Sequence, residues 1–407
     1  MTRLLLAFPL ALVLSACGDA EPVDHDDATG DPIEATPVDY SARGAWSAGY
    51  TVLEADAAGG APLQVKAWYP TASTAAEDIT YSVNLMLPGF GSDPMPFLGA
   101  AIADATPDAA GGPYPLVVLS HGFGLNPEWY HPLAEHLASH GMVVLAPEHT
   151  ESDWATDVVP ATVLRPLEVS ATIDLATTGV LDGIIDTDRV AVAGHSYGGT
   201  AALTAGGARF HTDWLAEACP NVEDPFTDVM FCMPFLAGEA ELAEHMGLAE
   251  VPEGLWPSLR DDRVDAVIAM APDAFLFGDV GLAELTLPIL VVGGTGDTGS
   301  PWGWGAGLTW DHVGSDTRGL VAFEGAEHFI NVATCDTMPW TDGLPEDYSA
   351  TMCEDPVWDK ATALGITNEV AAAFLVHHLS GSEEASESLD PTQFLQVPGL
   401  DMHMVTE

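Results

Sequence analysis

The stretch that decides the fold runs from residue 189 to residue 208. Arg189-Val190-Ala191-Val192-Ala193 is a short apolar run, Gly194-His195-Ser196-Tyr197-Gly198 follows it, and a small-residue segment continues through Gly199. The first run reads as a buried strand over 189–193, and 198–208 reads as a helix. A Gly-x-Ser-x-Gly sequence between a strand and a helix forms a sharp, strained turn. Side chains at 194 or 198 would collide with neighbouring backbone, so both positions are glycine. Ser196 is then presented at the sheet edge, beside a helix N-terminus whose dipole favours negative charge. A serine hydroxyl is a weak nucleophile unless a base takes its proton. The motif therefore predicts partners elsewhere in the chain.

Moving outward, apolar runs alternate with helical spacing. Strands are expected at 49–55 and 63–69 as an opening hairpin, then at 116–120, 142–146, 264–270, 288–292 and 320–323. Helices are expected at 132–140, 166–181 and 366–379. Continuous apolar strands separated by helices imply an α/β fold with a mostly parallel central sheet covered by helices on both faces. Right-handed crossovers place the loops after the strands along one edge, where sites form. Three stretches interrupt the alternation: a Pro/Gly-rich segment at 80–113, a cap-like segment at 209–260 and a segment at 333–360.

The base is sought in the loop after the last of these strands, where Glu324-Gly325-Ala326-Glu327-His328-Phe329 lies. His328 is the expected base; His312 precedes that strand, and His377 and His378 lie inside the last helix. The acid that orients the imidazole is expected to be Asp297, in Gly293-Gly294-Thr295-Gly296-Asp297, with Asp273 after the preceding strand as the alternative. An oxyanion site needs two backbone N–H groups. Tyr197 supplies one, and the loop His121-Gly122-Phe123-Gly124 supplies the other through Phe123. His121 is expected to brace that loop. His136 and His140 share one face of a helix, but no third ligand follows, so they read as surface residues rather than a metal site. His149 ends a strand, either at the site or in packing. Trp302, Trp304 and Phe123 are candidates for an acyl pocket, and 209–260 for a lid.

Composition bounds the compartment and the partners. The formal charge is −51, with 10 Lys plus Arg in 407 residues. A chain so acidic is repelled by phosphate backbones, which argues against nucleic acid. No oxygen-ligand loop at EF-hand spacing is present, and neither metal nor organic cofactor is expected. Met1-Thr2-Arg3 and the apolar run 4–14 read as a signal peptide, too short to span a bilayer. Leu14-Ser15-Ala16-Cys17 resembles a bacterial lipobox, in which the cysteine is acylated. The expected organisation is a signal peptide at 1–16, an acidic disordered tether at 17–44 and a folded domain at 45–407. The remaining cysteines, Cys219, Cys232, Cys335 and Cys353, are even in number and suit two disulfides in an oxidising compartment, with local pairing the simplest arrangement. Export with a lipid anchor on a bacterial membrane follows from these segments.

The motifs also carry a resemblance. His121-Gly122-Phe123-Gly124, Leu137-Ala138-Ser139-His140-Gly141, Val144-Leu145-Ala146-Pro147-Glu148-His149 and Gly194-His195-Ser196-Tyr197-Gly198-Gly199 are similar to type II platelet-activating-factor acetylhydrolase and its bacterial, dienelactone-hydrolase-like relatives, over about 45–380. The elbow, acid and late histidine also resemble cutinase-like polyester hydrolases. The resemblance implies the α/β-hydrolase fold and a serine ester hydrolase that acts on small-molecule or lipid esters, such as short-chain acyl or phospholipid acetyl esters. The eukaryotic acetylhydrolases take their acid at the position of Asp273, the bacterial relatives at that of Asp297. True dienelactone hydrolases have cysteine where Ser196 stands. A peptidase or amidase could use the same residues. A binding lipoprotein on an inactive hydrolase fold is the alternative outside enzymology.

Overall fold

The apolar runs of the sequence become strands that share one sheet. A computed structural model describes residues 38–56, 62–83, 94–149, 151, 153–222, 227–343 and 351–406. The described residues belong to a compact unit, Val38–Glu407. The strands are β1 (Ser47–Asp56), β2 (Pro62–Thr71), β3 (Thr80–Val83), β4 (Met95–Leu98), β5 (Ala101–Ala103), β6 (Tyr114–Ser120), β7 (Val143–Pro147), β8 (Ile185–His195), β9 (Val264–Met270), β10 (Ile289–Gly294), β11 (Arg318–Phe323) and β12 (Leu400–Val405). Among the described residues, ten of them pair in the order β12-β11-β10-β9-β8-β6-β7-β2-β1-β5, and β3 pairs with β4 separately. From β7 to β11 the neighbours are all parallel. The β1–β2, β2–β7 and β11–β12 pairs are antiparallel.

Among the described helices, α1 (His131–Ser139), α2 (Trp154–Leu175) and α3 (Tyr197–Gly206) pack on the sheet, α4 (Met233–His245) packs on α2, and α5 (Lys360–Ser380) packs on the sheet. The period of two along β6 feeds both faces. Leu116 and Val118 join a core with residues of α2, α3 and α4, whereas Val117 and Leu119 join one with α1 and α5. Every residue of β6 and β7 is buried, as expected of parallel strands covered on both sides.

Several expectations need correction. The helix expected from Pro166 begins at Trp154, because Asp153 caps it, accepting from the Ala155 N–H at 3.0 Å. Pro160 and Pro166 lie inside it. The segment 80–113 contributes β5, which extends the main sheet beside β1. An edge strand, β12, follows the closing helix; its short, half-exposed pattern hid it. The tether boundary at 44 lies too late, since 38–44 pack on the domain. Tyr40 is buried, its carbonyl accepts from His136 Nε2 at 3.0 Å, and the Ala42 carbonyl accepts from His140 Nε2 at 3.0 Å. His136 is consequently buried rather than on a surface. The expectations for 1–37, including Cys17, fall outside the described residues. The structure pairs Cys219 with Cys232 and Cys335 with Cys353. No described helix is long and apolar enough to cross a membrane.

Candidate active site

Ser196 sits between β8 and α3 with φ 55° and ψ −124°, a backbone conformation that L-residues rarely adopt. Its N–H donates to the Met270 carbonyl at 2.9 Å, and the flanking glycines make the turn possible. A Cβ at Gly194 would lie 2.0 Å from the Gly198 carbonyl oxygen, and one at Gly198 2.0 Å from that of Ser120. The elbow is thus wedged against the end of β6, from which the loop 121–124 departs.

His328 follows β11. Its Nε2 lies 2.9 Å from Ser196 Oγ, and its Nδ1 lies 2.9 Å and 3.1 Å from the two carboxylate oxygens of Asp297. Asp297 is fixed by its own turn, with Oδ1 accepting the N–H groups of Gly299 at 2.8 Å and Ser300 at 2.7 Å. Asp273 does not reach the imidazole. Its Oδ1 accepts the Ser300 hydroxyl at 2.6 Å. One residue therefore engages both acids, through its backbone with Asp297 and through its side chain with Asp273.

Electrostatics separate the two carboxyls. Burial pushes Asp273 up to about 6, with the Ser300 hydrogen bond and His328 offsetting part of that. At His328, burial disfavours the charged ring, but the charge and hydrogen bond of Asp297, aided by Asp273 and Glu327, outweigh it. The imidazole is held above its ordinary 6.5. Glu327 is anchored on both sides: its Oε2 accepts the Thr298 N–H and hydroxyl at 3.0 Å and 2.8 Å, and its own N–H donates to Asp355 at 2.7 Å.

Tyr197 begins α3, and Phe123 lies in the loop after β6, with its ring packed on Tyr197 and Trp154 at centroid distances of 5.9 Å and 4.8 Å. The loop is held by groups that the sequence reading passed over. Arg165, buried on α2, donates to the His121 carbonyl and, at 3.5 Å, to that of Gly122, and it pairs with Glu151. It is the sole Lys or Arg between 67 and 188, a signal present in the sequence. His121 braces the same loop. The His149 N–H donates to His121 Nε2 at 3.0 Å, so His121 carries its proton on Nδ1 and donates to the Gly122 carbonyl at 2.7 Å. His149 itself is packed, between Ser120 Oγ at 2.8 Å and Glu168 at 2.5 Å. His312 ends a short helix before β11; His377 and His378 lie in α5. His136 and His140 bond backbone carbonyls, and among the described residues no group is placed to hold a metal ion.

An open cleft of about 700 Å³ runs over His328 and is lined by Thr227, Asp297, Pro301, Glu327, Phe329, Thr351, Glu354 and Pro356, among others. Both the 209–260 and 333–360 segments thus reach its rim. No described Lys or Arg lines it. Trp304 and Phe231 join a continuous ring cluster with Trp154, Tyr197, Phe275 and Phe123. Trp302 lines a separate depression with Glu324 and Leu400.

Comparison with known proteins bears on the fold. The family model described as Chlorophyllase matches residues 93–214, the span from β4 to the start of the cap-like segment. A solved structure of a ferulic acid esterase from Streptomyces cinnamoneus superposes with a TM-score of 0.53 at 22% identity, over 86% of this chain and 93% of that one. That likeness shows the fold. Among curated proteins, none matches the sequence.

Proposed function

We infer that this chain, a serine-type carboxylic ester hydrolase of the α/β-hydrolase superfamily, works through an acyl-enzyme on Ser196. The observation that carries the reading is the bridge made by one imidazole, from Ser196 Oγ on Nε2 to Asp297 on Nδ1. His328 Nε2 takes the Ser196 proton as Oγ attacks the ester carbonyl. The N–H groups of Phe123 and Tyr197 receive the oxyanion, aided by the α3 dipole. The protonated imidazole, stabilised by Asp297, then gives its proton to the departing alcohol. Water attacks the acyl-Ser196 ester with His328 again as base, and the carboxylic acid leaves.

Short-chain acyl esters are the favoured substrates. The ring cluster from Phe123 to Trp304 offers an apolar wall for a small acyl group, whereas Trp302, the third candidate, lines a different depression. Glu327 and Glu354 on the cleft, without a described cation, give an anionic phosphate no counter-charge. This favours uncharged esters over phospholipid acetyl esters. The test is a panel of matched acyl esters and amides, from acetyl to long-chain. Turnover of acetyl-to-butyryl esters with inert amides supports the reading. Amide turnover at comparable kcat/KM would make the protein a peptidase or amidase, and inertness of a folded chain toward every activated ester would favour the binding-protein alternative.

The two disulfides fit an oxidising compartment, hence export. Anchoring through acylated Cys17 would hold the domain at a bacterial membrane surface. Mass spectrometry of the mature N-terminus tests this, with a diacylated or triacylated Cys17 expected and an unmodified Cys17 or intact Met1 contradicting it.

A further inference from the structure

Two buried polar side chains beside the elbow have no part in the chemistry above. Tyr130 ends the segment before α1, and His195 ends β8; neither is exposed by more than 1%. The Gly122 N–H donates to Tyr130 Oη at 3.0 Å, Tyr130 Oη lies 2.8 Å from His195 Nδ1, and His195 Nε2 lies 2.9 Å from the His328 carbonyl oxygen.

Chemistry fixes every proton along this path. An amide can only donate, so the phenol oxygen receives the Gly122 hydrogen and its single O–H is left for His195 Nδ1. Nδ1 is then an acceptor, and the ring proton must sit on Nε2. A carbonyl can only accept, so Nε2–H donates to His328. The opposite tautomer would turn a lone pair toward a carbonyl oxygen. A charged ring would leave the phenol hydrogen without its acceptor. Burial, and then the charge of the neighbouring His328, hold His195 far below the ordinary histidine value, in keeping with a neutral ring. The two imidazoles lie 4.8 Å apart.

We propose that Tyr130 and His195 are positioning residues that form a one-directional strut, Gly122 N–H to Tyr130 Oη–H to His195 Nδ1, then His195 Nε2–H to His328 C=O, which sets the oxyanion loop at a fixed distance from the base. The strut passes through the residue before the nucleophile, so it ties all three catalytic loops together. It rests on the roles assigned to Phe123 and His328 above. Neither member touches substrate, so the strut governs kcat rather than KM. A Cβ at Gly122 would lie 3.1 Å from Leu125 Cδ1, 3.2 Å from Tyr130 Oη and 3.4 Å from His195 Nδ1, so a side chain there would press on the strut.

A double-mutant cycle tests it. Tyr130→Phe removes the central hydroxyl, and His195→Gln keeps a donor for the His328 carbonyl but loses the Nδ1 acceptor. Each is expected to lower kcat about 10- to 100-fold with KM within about twofold, the scale of a small displacement of reacting groups. The double variant should lose no more than the worse single, since either change breaks the same strut. Singles within twofold of wild type, losses confined to KM, or losses that multiply in full would overturn the proposal. Should a variant misfold, histidine 15N NMR of the wild type decides: a neutral His195 protonated on Nε2 from pH 5 to 8 is expected, and an Nδ1–H or charged ring contradicts the strut. Wild type that turns over no ester would instead contradict the function itself.

Discussion

Asp297 and Asp273 close consecutive parallel strands of one sheet, and a single serine engages both. Ser300 gives its hydroxyl to Asp273 and its N–H to Asp297, which leaves Asp297 facing His328. Sequence placed both acids in the right neighbourhood and favoured Asp297 over Asp273; what it could not show is the side-chain direction across two adjacent loops that keeps Asp273 off the imidazole. Ser196 and His328 were legible because each has a positional rule: a glycine-flanked turn after a strand, and a loop after the last parallel strand. Tyr130 and Ser300 were not, since they act by distance and not by motif, and Arg165 was marked only by its isolation as a cation. Asp297→Asn should lower kcat about 10³- to 10⁴-fold, the scale of a lost orienting carboxylate, whereas Asp273→Asn should cost far less; steady-state kinetics on one ester checks both. The base must be neutral to accept a proton, and His328 is held above 6.5, so the acidic limb of kcat/KM should fall above 6.5, with activity rising as pH rises. Asp273 has the opposite consequence for stability. Its folded pKa of about 6 exceeds the ordinary aspartate value of 3.8, so the folded chain binds the extra proton between them. Its contribution is therefore full below that window and lost as pH rises through about 6. Thermal melts should show the wild type losing stability relative to Asp273→Asn between those pH values, and parallel profiles would contradict the assignment.

At the scale of elements, the strands behind the site matched the sequence reading because buried parallel strands are continuous apolar runs. The misreadings lie where local signals compete with tertiary ones. Pro166 suggested a helix start, but Asp153 caps α2 earlier and the prolines are carried within it. β5 and β12 are edge strands whose burial is partial, so their patterns were weak. The cap-like and 333–360 segments each close a loop with a disulfide, at sequence separations of 13 and 18. Loops of that size should each be worth about 3 kcal/mol through the unfolded chain. The second bridge also holds the stretch bearing Thr351 and Glu354 on the cleft rim, and Lys360 donates to Met352 beside it at 2.6 Å. The Cys335→Ser/Cys353→Ser variant is expected to melt earlier and to raise KM more than it lowers kcat. An unchanged KM would show that this segment does not shape the bound state.

The whole molecule is a scaffold under self-repulsion. Its charge is −51, and most of its few cations already face carboxylates, as Arg189 faces Asp186 and Arg263 faces Asp261. Added salt screens such repulsion over a Debye length of ~10 Å at 0.1 M. The melting temperature should therefore rise from low salt to about 0.5 M NaCl, and anionic esters should gain kcat/KM over neutral ones across the same range. A falling melting temperature would mean that specific ion pairs outweigh the net charge. The central claim, a nucleophile at Ser196, is read most directly from the mass of the whole chain after treatment with a fluorophosphonate. The wild type should gain one adduct, located on Ser196 by peptide mapping, and folded Ser196→Ala should gain none. A folded wild type that never labels, or a Ser196→Ala variant that labels as fast, would contradict it.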